Sequence, residues 1–375
     1  MEVTAPDPFT ATVFDRRQLA SGAASAWIST TLSDEEWDSF LQSTLLGQFQ
    51  QSSIWAAVKA GEGWRVVRVV IWQGNRIVGG FQILSRARKL LREGFLNKGP
   101  VYGEPDLQLL EWMLELVERS AKIHRIDALV VQAPDDDNAF RALQERRGYA
   151  ANGIAAIITA TFCIPLGDGR PPAETRMRRT VRLEARQALR RGVVIREGTA
   201  SDIPDFFQLM CATCRRQNTA PNPASEAALL QLWSAFNAKG LARLTIADCD
   251  GKPTAGLFTI RFGNRITQWK KGWNEQFREK HPNTSLAFES IQWSERQNAS
   301  CVDFVGGDRC FAHAILSGNA PDKELRASRY FFLVGLGAEP RLLPLSRILV
   351  PNRLIRAAYQ SCLPLLRRLG RVETE

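Results

Sequence analysis

Two turn-centred segments of this chain recur at one fixed separation. Gln73-Gly74 and Asp250-Gly251 each lie between β-rich runs, and Gly79, Phe81 and Ile83 after the first turn are matched by Gly256, Phe258 and Ile260 after the second, every pair 177 positions apart. Two-residue turns containing Gly between β-branched and aromatic runs are hairpin chemistry. Such a pattern recurs by chance, yet the order of helices and strands around the two hairpins agrees too. A duplicated α/β unit accounts for both observations. With 375 residues the chain can supply two domains, each with its own core.

The elements follow from local patterns. Ser33-Asp-Glu-Glu36 has the capping-box form and predicts a helix through Trp37, Phe40 and Leu41. A second short helix is expected over Gln51–Lys59, capped by Ser52 or Ser53 and stopped at Gly61–Gly63. Strands are expected at 64–72 and 76–84, a helix at 106–124, a strand at 127–132, a helix at 138–147 and a closing strand at 154–164. The second half repeats the plan, with a strand at 193–196, helices at 203–216 and 225–239, a hairpin over 241–260, a strand at 264–272, a helix at 285–297 and a strand at 301–305. The expected domains are 1–165 and 173–340, followed by a basic amphipathic tail at 341–375.

Charge narrows the partners. The net charge is +10, from 39 Arg and 10 Lys against 39 acidic residues. Arg178, Arg182, Arg186 and Arg190 recur every four residues, which stacks four guanidinium groups on one helical face. Either that face is a solvated surface or it contacts phosphate or nucleic acid. From Leu342 to Arg371 arginines alternate with Leu, Ile and Val, and no acid appears until Glu373. Pro344, Pro351 and Pro364 divide this tail, which predicts short amphipathic turns. Such a segment either packs as an arm or attaches to an anionic bilayer.

Other classes are excluded or left without support. No window holds the eighteen apolar residues of a spanning helix, and Glu2 and Asp7 stand where a secretory signal would be basic; a cytoplasmic location is expected, with peripheral contact at the inner membrane face. Seven scattered cysteines form no disulfide framework. His124, His281 and His313 have no ligand spacing, so no metal is expected.

Three stretches carry a family resemblance. Gln51–Lys59 with Gly63-Trp64, Lys98-Gly99-Pro100-Val101, and Leu286–Trp293 with Val302-Asp303-Phe304-Val305-Gly306-Gly307 resemble the Fem-type peptidoglycan bridge aminoacyltransferases, part of a wider group of doubled acetyltransferase-fold proteins. The resemblance implies an α+β fold of two tandem GNAT-like domains, each a mixed sheet flanked by helices. It also implies transfer of an activated acyl or aminoacyl group to an amine of a cell-envelope precursor, small or lipid-linked. The alternative is a non-catalytic protein of the same fold that recruits a glycolipid or an export partner.

Residue by residue, the resemblance makes Lys59 and Arg216 the groups that hold acceptor phosphate. A family carboxylate before a proline falls at Ala133, with Asp135, Asp136 and Asp137 beside it, and a family lysine after a phenylalanine falls at Leu333 after Phe332. Asp303 and Asp308 are then the candidate bases, although an Asp before Gly-Gly also serves a loop backbone. The turn at 281–286 offers Asn283, Thr284 and Ser285 to an acyl-CoA pyrophosphate. Acyl-CoA is the expected donor, aminoacyl-tRNA the alternative, and the arginine stripe would suit tRNA.

Overall fold

The computed structural model describes residues 11–88, 91–135, 137–318, 323–369 and 372. The chain divides into one unit of residues 1–157 with 343–375 and a second of residues 158–342. The first contains strands β1 (Ala11–Leu19), β2 (Gly22–Ser29), β3 (Arg65–Gln73), β4 (Arg76–Arg88), β5 (Leu91–Asn97), β6 (Val101–Tyr102), β7 (Ala128–Gln132) and β8 (Ala150–Ala151), with helices α1 (Glu35–Ser43), α2 (Ser53–Gly61), α3 (Leu107–Ile123) and α4 (Asn138–Arg146). The second begins with β9 (Ala160–Pro165), α5 (Ala173–Arg176), α6 (Arg179–Arg190), β10 (Val193–Glu197), α7 (Ile203–Arg216) and α8 (Glu226–Asn237). It continues through β11 (Ala242–Cys249), β12 (Lys252–Phe262), β13 (Arg265–Trp273), α9 (Pro282–Arg296), β14 (Cys301–Asp303), α10 (Arg309–Leu316), α11 (Lys323–Ala327), α12 (Arg329–Gly335) and β15 (Glu339–Leu342). The chain then returns to the first unit with β16 (Arg347–Leu349) and α13 (Arg353–Arg368).

The repeated hairpins are β3–β4 and β11–β12. Each closes over two residues, Gly74-Asn75 between Gln73 and Arg76 and Asp250-Gly251 between Cys249 and Lys252, so Gln73 belongs to its strand rather than to the turn; each carries a register shift just before its turn, at Ile71/Trp72 and at Ala247/Asp248. Asp250 and Gly251 both have positive φ, at 51° and 74°, the backbone that suits a tight hairpin. Each sheet also holds one parallel pair, β5 with β7 and β13 with β14, bridged by the long helices α3 and α9. The strand orders are β1-β2-β3-β4-β5-β7-β16-β8, with β6 also on β4, and β10-β11-β12-β13-β14-β9-β15.

Periodicity explains the cores. Leu109, Leu110, Met113, Leu116 and Val117 fall on one face of α3 and pack with Val69, Ile71, Phe81 and Ile83 of β3 and β4. In the second unit Ala287 and Ile291 of α9 join Ile266, Val302, Phe162 and Phe311. Within the first unit the Gln51-Ser52-Ser53 segment is structural. Gln51 accepts from the Gln82 N–H at 2.7 Å and donates to the Asn97 carbonyl at 2.7 Å, while Ser52 caps α2 through the Trp55 N–H and the Ser53 hydroxyl donates to Asp38 at 2.6 Å.

Four local expectations are corrected. The cap of α1 is Asp34, whose carboxylate accepts from the Trp37 N–H, not Ser33. The strand expected to close the first half begins at Ala160 and pairs antiparallel with both β14 and β15 in the second sheet. The tail supplies β16, which pairs with β7 and β8. Its remainder is one sixteen-residue helix capped by Asn352 with Pro364 inside it. That proline removes a hydrogen bond to a carbonyl on an exposed face, where water can replace it.

Candidate active site

A cavity of about 730 Å³ opens in the second unit where two parallel strands part. β13 pairs with β12 along its whole length but with β14 only from Arg265/Cys301 to Thr267/Asp303. Beyond that point Gln268–Lys271 and Phe304–Gly306 both line the cavity. A crevice beyond the carboxyl ends of splayed strands is a usual place for a ligand.

Asp303 fixes the parting. Its carboxylate is buried and accepts from the Thr161 hydroxyl at 2.5 Å, the Val305 N–H at 3.0 Å and the Arg265 guanidinium at 3.3 Å. Val305 sits at φ 46° and Gly306 at 78°, so the chain leaves its strand direction at once. A β-branched residue at positive φ is strained by about 1–3 kcal/mol, and the bond to Asp303 helps hold it there. Asp308 is the cap of α10 and accepts from the Phe311 N–H at 2.7 Å. Neither carboxylate lines the cavity; both have structural work.

Arg216 is in the wall. Its guanidinium donates to the Trp273 carbonyl at 2.7 Å, lies 5.6 Å from that indole's centre and faces Glu275 at 3.6 Å. Gly272 permits this: a Cβ there would come within 2.6 Å of the Met210 backbone nitrogen, so only glycine lets β13 lie so close to α7. Thr213 secures the same contact by accepting from the Trp273 N–H at 2.9 Å. Lys59 belongs to the other unit, where its ammonium pairs with Glu62 at 2.7 Å over the Trp55 ring.

The turn before α9 is divided. Asn283 lines the cavity, and its buried Oδ1 has no hydrogen-bond partner among the described residues. Thr284 donates instead to Glu184 at 3.1 Å, Ser285 is buried, and neither lines the cavity. His281, at φ 58°, begins the helix without a side-chain cap and has Glu184 at 3.9 Å. A carboxylate therefore already occupies the positive end of this helix.

Of the remaining positions, Ala133 is buried in the first core, Asp135 accepts from Lys98 at 2.5 Å, Asp137 caps α4, and Asp136 lies outside the described residues. Leu333 does line the cavity, next to Phe332. Sequence reasoning missed Lys270 and Lys271. Trp269-Lys270-Lys271-Gly272-Trp273 has no simple alternation because β13 bulges at Trp269, and only the parting of the strands puts these side chains at a cavity. Lys270 lies 4.2 Å from the centre of Trp269. The lining carries Arg216, Lys270, Lys271, Arg278 and Arg329 against Glu275, so it suits an anionic ligand.

The FemAB family model matches residues 32–151, and the acetyltransferase (GNAT) domain model matches residues 175–313. The chain is FemAB-like, with two tandem GNAT-type domains. Each match falls within one of the two units. A lipid II:glycine glycyltransferase of Staphylococcus saprophyticus is 23% identical over 234 residues, 59% of this chain. The chain spans about half, 56%, of the length of that relative. The crystal structure of FemX superposes with a TM-score of 0.73 at 17% identity, covering 87% of this chain and 97% of FemX. A tandem GNAT protein from the clavulanic acid biosynthesis pathway covers 85% of this chain and 94% of its own, with a TM-score of 0.50 and 13% identity. These two likenesses establish the FemAB-like fold as a pair of GNAT-type domains, each a mixed sheet flanked by helices.

Proposed function

We propose that this protein is an acyltransferase that moves an activated aminoacyl or acyl group onto an amine of a phosphate-bearing, lipid-linked cell-envelope precursor. The observation that carries the reading is the cationic, aromatic-walled cavity at the splay of β13 and β14 inside a GNAT-type domain. Five basic side chains with one acid give a phosphate-bearing acceptor several fixed counter-charges. The FemAB match and the likeness to a lipid II:glycine glycyltransferase support that acceptor class.

On the donor, the geometry favours an aminoacyl ester such as charged tRNA over acyl-CoA. Glu184 takes Thr284 and stands by the start of α9, where a pyrophosphate would meet like charge. On α6, Arg186 is paired with Glu174, and Arg178, just before the helix, stacks on Phe331, whereas Arg190 is exposed on the same face. Exposed arginines of this kind fit a polyanionic donor.

Helix α13 supports contact with an anionic membrane. Leu354, Ile355 and Leu365 are exposed, Leu354 at 82%, while Tyr359, one turn on from Ile355, ties the helix to its unit by donating to the Ala151 carbonyl at 2.7 Å. Arg353, Arg356 and Arg367 fall on the side of the helix away from Leu354 and Leu365, and Arg368 borders those leucines. This is the pattern of a helix lying in a bilayer interface; no helix among the described residues is long and apolar enough to cross one. The test offers lipid II in anionic vesicles together with either charged tRNA or acetyl-CoA. A mass increase of the lipid with charged tRNA supports the reading, an increase with acetyl-CoA alone reverses the donor assignment, and no increase with either contradicts transfer.

A further inference from the structure

Lys271 differs from the paired lysines of this fold. Lys59, Lys98 and Lys280 are ion-paired with Glu62, Asp135 and Asp250. Lys271 is partly buried at the cavity, with its ammonium 5.5 Å from the Phe332 ring centre, and among the described residues it has no hydrogen-bond or ion-pair partner. Burial without compensation pulls it down to about 8. An amine near the working pH can both accept and return a proton.

The other lining groups are poorer candidates for that task. Arg216, Arg278 and Arg329 present guanidinium groups, donors with no acceptor. Glu275 is half exposed and faces Arg216. Asp303 and Asp308 serve the loop and α10, and none of the three histidines lines the cavity. The charged groups around Lys271 are Arg216 from α7, Lys270 on its own strand, Glu275 and Arg278 in the β13–α9 connection, and Arg329 from α12.

We propose that Lys271 is the proton-transfer group of the acyl-transfer step, an assignment that rests on the transferase reading above. Its neutral amine takes one proton from the acceptor ammonium. The freed acceptor nitrogen forms a bond to the acyl carbon, and the carbonyl π pair moves to oxygen beside the Lys271 ammonium. On collapse the carbonyl re-forms and the bond from carbon to the donor oxygen or sulfur breaks. The Lys271 ammonium gives its proton to that leaving atom and takes the surplus proton from the new amide nitrogen, later releasing it to solvent. Cationic stabilisation and proton delivery then come from one residue.

The test compares wild-type protein, Lys271→Met and Lys271→Arg in the vesicle lipid II assay from about pH 6 to 10. Lys271→Met is expected to lose kcat by about a hundredfold or more with KM little changed, and to lose the acid limb of the profile near pH 8. Lys271→Arg is expected to stay inactive, because a guanidinium gives up no proton. Reductive ¹³C-methylation of folded wild-type protein should show one lysine signal titrating near pH 8 that is missing from Lys271→Met. The proposal is overturned if Lys271→Met keeps kcat within about threefold or if Lys271→Arg restores it. If wild-type protein transfers nothing while that signal still titrates near 8, the transferase reading fails and this assignment with it.

Discussion

Replacing Lys271 with Met should make the protein more stable while removing its activity. Lys271 falls from the ordinary 10.5 of a lysine to about 8 because burial disfavours its charge. At about 1.36 kcal/mol for each tenfold change, keeping it charged in the fold costs roughly 3 kcal/mol. The side chain retains some exposure and hydration, so about 1–3 kcal/mol is recoverable by a neutral side chain of similar length. The sign follows from proton linkage. Below pH 8 both states carry the proton and the folded state bears the whole penalty; between about 8 and 10.5 the unfolded state holds more proton, and native stability rises; above that range the penalty is gone. Urea unfolding at several pH values should therefore show Lys271→Met more stable than wild type near neutrality, with an advantage that shrinks above pH 8. A variant that is less stable at neutrality, or whose advantage is independent of pH, would refute the desolvated-amine account.

Arg216→Ala removes a cavity cation and its bond to the Trp273 carbonyl, and should weaken calorimetric binding of lipid II by about 1–3 kcal/mol; unchanged affinity removes Arg216 from the site. Lys59→Ala should weaken the same binding on the same scale if Lys59 holds acceptor phosphate, but lower stability by less than about 1 kcal/mol, since its pair with Glu62 lies near the surface. Asp303→Asn should cost about 1–3 kcal/mol in thermal unfolding, because the carboxylate supports Thr161, Val305 and Arg265 together; an unaltered transition would show that these bonds contribute nothing. Glu at Leu354 and Leu365 together should abolish sedimentation with anionic vesicles and leave the thermal midpoint within about 2 °C, whereas retained binding would place the membrane contact elsewhere.

Much of the fold was legible because periodicity and turn chemistry are local. The hairpin offset located β3–β4 and β11–β12, and helix 203–216 was read to the residue. Pairing between distant strands is not local. Nothing in Ala160–Pro165 states that it will lie between β14 and β15, and nothing around Arg347–Leu349 announces a partner in β7. The hairpin of β1 and β2 was missed because charged and small residues interrupt its apolar face. The site was legible in part. Of the positions singled out by the family resemblance and by the expected pyrophosphate turn, Arg216 and Asn283 line the cavity. Asp303 and Asp308 look chemical in sequence and act as backbone acceptors in the fold. Lys271 carries no local signal at all, because its burial and, among the described residues, its lack of an ion-pair partner arise only where β13 leaves β14.

The central claim is amide formation on a lipid-linked amine. The most direct measurement supplies a donor with a ¹³C-labelled acyl carbon to the protein and vesicle-bound lipid II, then locates the label by tandem mass spectrometry. The account predicts the labelled carbon bonded to an amine nitrogen of the lipid's peptide, in amounts that rise with protein concentration and fall by about a hundredfold or more with Lys271→Met. Label found only as free acid, or only on oxygen, would contradict it.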